Sequence, residues 1–69
     1  MNDKQEYVIT VYTIDNGEYN YFIYKNSRNE AREHAKRIVM EGYWFCPDSL
    51  NEVFISPNRI VKVKLTESA

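Results

Sequence analysis

Cysteine, glycine, proline and net charge are all scarce in this chain, and each shortage removes a class of function. Its one cysteine, Cys46, allows no internal disulfide, and no cysteine–histidine spacing suits a metal. The two glycines cannot build a phosphate-cradling loop when one belongs to a turn and the other to a helix end. A formal charge of −1 excludes a polycation that holds nucleic acid by bulk charge. No apolar run approaches the ~20 residues that span a bilayer, and nothing resembles a signal peptide. A reduced thiol without a leader points to the cytoplasm, and no membrane partner is expected. Asn, Tyr, Ile and Lys are all common. Their codons are A/T-rich, which fits a bacterial host or its bacteriophages.

Aromatic residues are plentiful: ten of 69, six of them tyrosine. Two tyrosine-rich runs, Tyr7–Ile14 and Tyr19–Lys25, flank Asp15-Asn16-Gly17-Glu18. Asn-Gly suits a two-residue type I′ turn, so the runs read as a hairpin. In that register Val11 faces Phe22 and Ile9 faces Tyr24, forming a core face. Val8, Tyr12, Ile14, Tyr19, Tyr21 and Ile23 then share the opposite face. Both faces are apolar, and one helix can cover only one of them. A loop longer than two residues shifts the two sets.

Ser27-Arg28-Asn29-Glu30 forms a capping box, with each side chain serving the other residue's amide. The helix should run from Arg28 to Glu41 with Ala31, Ala35, Ile38 and Val39 as its apolar stripe, and Gly42 should stop it in a left-handed conformation. Tyr43–Cys46 and Glu52–Ile55 read as a second hairpin across Pro47-Asp48-Ser49. Pro57 starts a turn. From Ile60 to Leu65, Val61, Val63 and Leu65 alternate with Lys62 and Lys64. The expected fold class is α+β: one small domain over 1–69, order ββαβββ, an antiparallel sheet with one helix packed on one face. Residues 6–65 should be ordered, with 1–5 and 66–69 as flexible tails. The expected core is Ile9, Val11, Phe22, Ala31, Ala35, Ile38, Val61 and Val63.

Catalysis finds little to work with. His34, the one histidine, has no partner identifiable from sequence. Cys46 lacks a nearby cation and should be a buried or half-buried thiol. The carboxylates are scattered, and no catalytic residue, cofactor or metal is expected. The expectation is a non-enzymatic protein-binding module, forming a homodimer through Tyr12, Ile14, Tyr19, Tyr21 and Ile23, because tyrosine supplies large contact area at low entropy cost. The alternative is a nucleic-acid binder using Arg28, Arg32, Lys36 and Arg37 on the helix with Lys62 and Lys64 on the last strand.

Glu41-Gly42-Tyr43-Trp44, followed by Phe54-Ile55-Ser56-Pro57-Asn58-Arg59-Ile60-Val61-Lys62-Val63, is similar to a pattern in small uncharacterised proteins of bacteriophages and mobile elements. In those, a helix ends in a glycine–aromatic step, and an Ile-x-Pro-x-x-Ile turn leads into a last alternating strand. The resemblance covers about a third of the chain and transfers no active site. It implies an accessory protein that acts by binding a host or phage protein.

Overall fold

The computed structural model describes residues 4–68, so the expected termini at 1–3 and 69 lie outside the described residues. The order is ββαβββ: β1 (Gln5–Thr13), β2 (Glu18–Lys25), α1 (Arg28–Glu41), β3 (Tyr43–Asp48), β4 (Asn51–Ile55), a 3₁₀ turn (Pro57–Arg59) and β5 (Ile60–Glu67). All strand pairs are antiparallel, and the helix packs against the sheet. The strands divide into a three-stranded sheet, ordered β2-β1-β5, and a separate β3–β4 hairpin.

The first turn differs from expectation. Thr13 N–H donates to the Gly17 carbonyl (3.0 Å) and Asn16 N–H to the Thr13 carbonyl (3.1 Å), which encloses Ile14, Asp15 and Asn16 as a three-residue loop. Among the described non-glycine residues only Asn16 takes a positive φ (+69°), the left-handed third position that such loops require. The buried Thr13 hydroxyl locks the loop, accepting from Gly17 N–H (3.0 Å) and donating to the Asp15 carboxylate. That donated bond is the main reason the Asp15 pKa is held low.

The longer loop pairs Val11 with Tyr19, Ile9 with Tyr21 and Tyr7 with Ile23. An odd shift moves every β2 side chain to the other face, so the two sets inferred from a type I′ turn are exchanged. The physical gain is clear. The two-residue loop would set Asn20 opposite Thr13 on the core face, whereas the observed register fills that face with Tyr7, Ile9, Val11, Tyr19, Tyr21 and Ile23. Ile9 and Val11 are completely buried, each contributing about 1.5–3 kcal/mol of transfer free energy.

The core contains Ile9, Val11, Ala31 and Ile38 as expected, with Ala35 and Val63 packed at its margin and Tyr7 and Ile23 added. Phe22 (60 % exposed) and Val61 (61 %) are not core residues. Phe22 follows the exchanged β2 face. Val61 is the extra residue of a bulge: Tyr12 pairs with Lys62 but Thr13 pairs with Ile60, which turns Val61 outward. β5 also runs two residues beyond Leu65. Arg28 grips Glu67 (2.8 Å) and Ser68 N–H donates to the Glu6 carbonyl (3.1 Å), so residues 66–68 are held in place rather than forming a tail.

The helix occupies the expected span. Ser27 Oγ accepts from Glu30 N–H (3.3 Å), while the Glu30 carboxylate reaches Asn26 N–H (3.2 Å) instead of the Ser27 amide. Gly42 ends the helix at φ +94°, ψ 179°, a positive-φ conformation that essentially only glycine adopts, outside the left-handed helical well expected for it. Its hydrogen is essential in a second way: a Cβ there would lie 2.7 Å from both the Ile55 carbonyl and the Phe54 ring. Val39 lies at the flank of the stripe and stays largely exposed.

Candidate functional site

Of the residues expected to contact a partner, Tyr19, Tyr21 and Ile23 lie on the covered face of the sheet. Ile23 is buried against α1, and the two tyrosines stack on the second hairpin. Tyr19 meets Phe45 (centroids 4.8 Å apart) and Tyr21 lies nearly parallel to Tyr43 (5.0 Å, 14°). Helix and hairpin together therefore cover one face, and these tyrosines are the surface on which the hairpin rests.

Tyr21 also anchors His34. Its hydroxyl lies 2.6 Å from His34 Nε2. Burial, with the neighbouring Tyr43, pushes the Tyr21 phenol well above its ordinary range. The phenol therefore keeps its proton, and its oxygen and His34 Nε2 share one hydrogen bond between sheet and helix. Burial, then the positive Lys25 and Arg37, holds the His34 pKa below its usual value. The geometry ties helix to sheet.

The opposite face is open. Strand alternation and the two registers arrange it in rows from β2 across β1 to β5: Glu18-Tyr12-Lys62, Asn20-Thr10-Lys64, Phe22-Val8-Thr66 and Tyr24-Glu6-Ser68. No helix or strand lies over these rows among the described residues, and Phe22 and Tyr24 (58 %) are largely exposed. The rows are internally bonded: Thr10 Oγ1 donates to Asn20 (2.7 Å), Tyr24 Oη and Ser68 Oγ donate to the Glu6 carboxylate (3.0 and 3.1 Å), and Lys62 Nζ sits 4.9 Å from the Tyr12 ring centre. Ile14 lines a shallow hollow with Tyr12, Val61 and Lys62 at one end of the face. Tyr12 and Ile14 are thus on the open side as expected. Val8 also lies on this side as expected, and Phe22 and Tyr24 are the members that the wrong register concealed; Thr13 was the available signal, since its hydroxyl can serve a longer loop.

The basic residues do not form one surface. Lys62 and Lys64 belong to the open face, whereas Arg28, Arg32, Lys36 and Arg37 are on α1, across the sheet. Arg28 is paired with Glu67, and Lys36 lies 3.7 Å from Glu33. A groove of about 260 Å³ separates α1 from β5, lined by Arg32, Ala35, Lys36, Val39, Val63 and Leu65.

Cys46 is exposed, not buried. Among the described residues no group of three or more His, Cys, Asp or Glu side chains could hold a metal, and no helix is long and apolar enough to cross a membrane. No family model, curated protein or solved structure matches the chain.

Proposed function

We propose that the chain is a non-enzymatic protein-binding module whose contact surface is the open sheet face, and that the face is covered by a second copy of the chain. The observation that carries this reading is the exposure of Phe22 and Tyr24 beside Val8 and Tyr12 on a face that no helix or strand covers among the described residues. Exposed aromatic rings on a sheet are typical of interface cores. On this face two carboxylates, Glu6 and Glu18, equal in number two ammonium groups, Lys62 and Lys64, and Glu18 shares a row with Lys62. A two-fold axis along the strands lays β2 of one copy over β5 of the other, which sets Glu18 against Lys62. Such self-complementarity is what an isologous dimer needs. An accessory protein of phage type, as the C-terminal resemblance implies, fits a module of this kind.

Light scattering of the purified chain tests the dimer. A mass of twice the 8.2 kDa chain is expected, returning to the single-chain mass when Phe22 and Tyr24 are both replaced by Ser. A wild-type monomer at every concentration removes the dimer claim.

One observation favours a second reading, single-stranded nucleic acid: Lys62 lies over Tyr12, with Lys64 in the next row. Bases could stack on the aromatics while the lysines follow phosphates. The lysines line β5 only, however, and the most exposed rings lie on β2 beside Glu6. The absence of any gel shift with single-stranded DNA or RNA at ~50 mM salt, where phosphate contacts are strongest, eliminates this reading.

A further inference from the structure

Among the described residues β5 has a neighbour on one side only. The N–H of Ser68 donates to the carbonyl of Glu6, directly opposite in the β1–β5 register. Antiparallel ladders alternate bonded and non-bonded pairs. Lys62, Lys64 and Thr66 therefore turn their backbone groups to β1, while Val63, Leu65 and Glu67 turn theirs to the free edge. The other ladder agrees. The Thr13–Gly17 bond assigns odd-numbered β1 residues to β2, which leaves the even-numbered ones for β5.

Val63 and Leu65 thus combine two features: their backbone groups are free, and their side chains floor the groove against Ala35 and Val39. The helix rim of that groove is cationic. Arg32 makes no ion pair among the described residues, and Lys36 has only its loose contact with exposed Glu33. Lys62 and Lys64 extend the positive charge along the same strand on the opposite face.

We propose that the β5 edge takes an extended segment of another polypeptide as a fourth strand, one in which an aliphatic side chain is flanked by acidic residues. Strand addition satisfies the free groups of Val63 and Leu65, and the aliphatic anchor enters the groove. The next side chains on that face, two residues either way, reach Arg32 and Lys36. Those on the other face meet Lys62 and Lys64, so acidic residues are favoured on both sides of the incoming chain. A second β5 edge is the wrong occupant, because it would bring two pairs of lysines together. The inference therefore names a partner other than a second copy, and it stands apart from the open-face reading.

Selection of a displayed library of random short peptides on the 69-residue chain tests it. An enriched family of acidic peptides with an aliphatic residue is expected, and a synthetic member should shift the amide resonances of Val63, Leu65 and Glu67. The exposed pair R32E/K36E should weaken that peptide by about tenfold or more, because desolvated charge pairs at an interface are costly to reverse. Circular dichroism establishes that this variant remains folded. The Phe22→Ser, Tyr24→Ser variant should bind the peptide unchanged, which separates failure of the groove from failure of the open face. No enriched family, a family without acidic bias, resonance shifts confined to Val8, Phe22 and Tyr24, or undiminished binding to R32E/K36E each overturns the proposal.

Discussion

In the β1–β2 hairpin Ile9 and Val11 lose all contact with solvent, while in the β3–β4 hairpin only Ile55 is buried and Trp44, Val53 and Phe54 remain open. Both hairpins are antiparallel and rich in aromatic residues, so composition does not separate them. The difference is what lies beside and above each. β1 has a strand on either side and α1 over one face. β3 and β4 have only each other, and a two-stranded ribbon is marginal in water. The second hairpin is held by side chains: Tyr43 on Tyr21, Phe45 on Tyr19, and the close approach of Gly42 to Ile55. One region is held by a ladder and a core, the other by a few stacked rings.

The largest effect should come from the first region. Ile9→Ala should cost about 2–5 kcal/mol, comparable with the ~3–5 kcal/mol that a core of this size supplies. Denaturation followed by circular dichroism should find this variant largely unfolded in buffer. A loss of less than ~1 kcal/mol would mean that the site collapses around the smaller side chain and that β1 is not the centre of the fold.

Gly42→Ala comes next, at about 1–3 kcal/mol for a side chain in a glycine-only conformation, with steric clash in addition. The damage should stay local. Trp44, the only tryptophan, should change its fluorescence as the hairpin shifts, while the tyrosine and backbone signals of the three-stranded sheet persist. Loss of both signals together would erase the distinction between the two regions.

The same distinction governs what could be read from the residues. The helix was legible to its ends because its signals are local: Ser27 and Glu30 at one end, Gly42 at the other. The element order was legible from alternation and turn residues. The register was not, since Asn16-Gly17 fits two loops and the choice between them lies in Thr13, Asn20 and the packing under α1. One wrong register then misplaced the site, exchanging Tyr19, Tyr21 and Ile23 for Phe22 and Tyr24. The bulge at Val61 was equally hidden, because it depends on how β1 and β5 are offset. The general inference that one face would remain uncovered does not depend on the register, but that face is not uniformly apolar: Val8, Tyr12, Phe22 and Tyr24 share it with Glu6, Glu18, Lys62, Lys64 and four uncharged polar residues.

A smaller effect tests the tie between helix and sheet. The pKa of His34 is depressed in the folded chain, chiefly by burial. The folded state therefore binds fewer protons than the unfolded state below the ordinary imidazole pKa of about 6.5. The stability associated with His34 is present above that pH and is lost as pH falls toward the depressed value. Denaturation midpoints of the wild type should decline over that interval by more than those of His34→Gln. Tyr21→Phe should cost about 1 kcal/mol at neutral pH through loss of the hydrogen bond. Equal pH dependence in wild type and His34→Gln would locate the titration elsewhere.

The smallest expected change in stability is the one that divides the two faces of β2. Tyr21 and Phe22 are adjacent in sequence, yet Tyr21 stacks on Tyr43 beneath the hairpin while Phe22 is 60 % exposed. Replacing Tyr21 by Ser removes a ring from a packed cluster and should cost several kcal/mol, within the range for truncated buried aromatics of about 3–5 kcal/mol. Replacing Phe22 by Ser removes a ring that only a partner could cover, so the isolated chain should change by no more than about 0.5 kcal/mol. Measured at concentrations low enough to keep the chain monomeric, the two substitutions should differ by a wide margin, and at high concentration the Phe22 variant should fail to gain the mass of a dimer. If Phe22→Ser destabilises the monomer as much as Tyr21→Ser does, the ring is serving the fold, and the open face loses its strongest claim to be an interface.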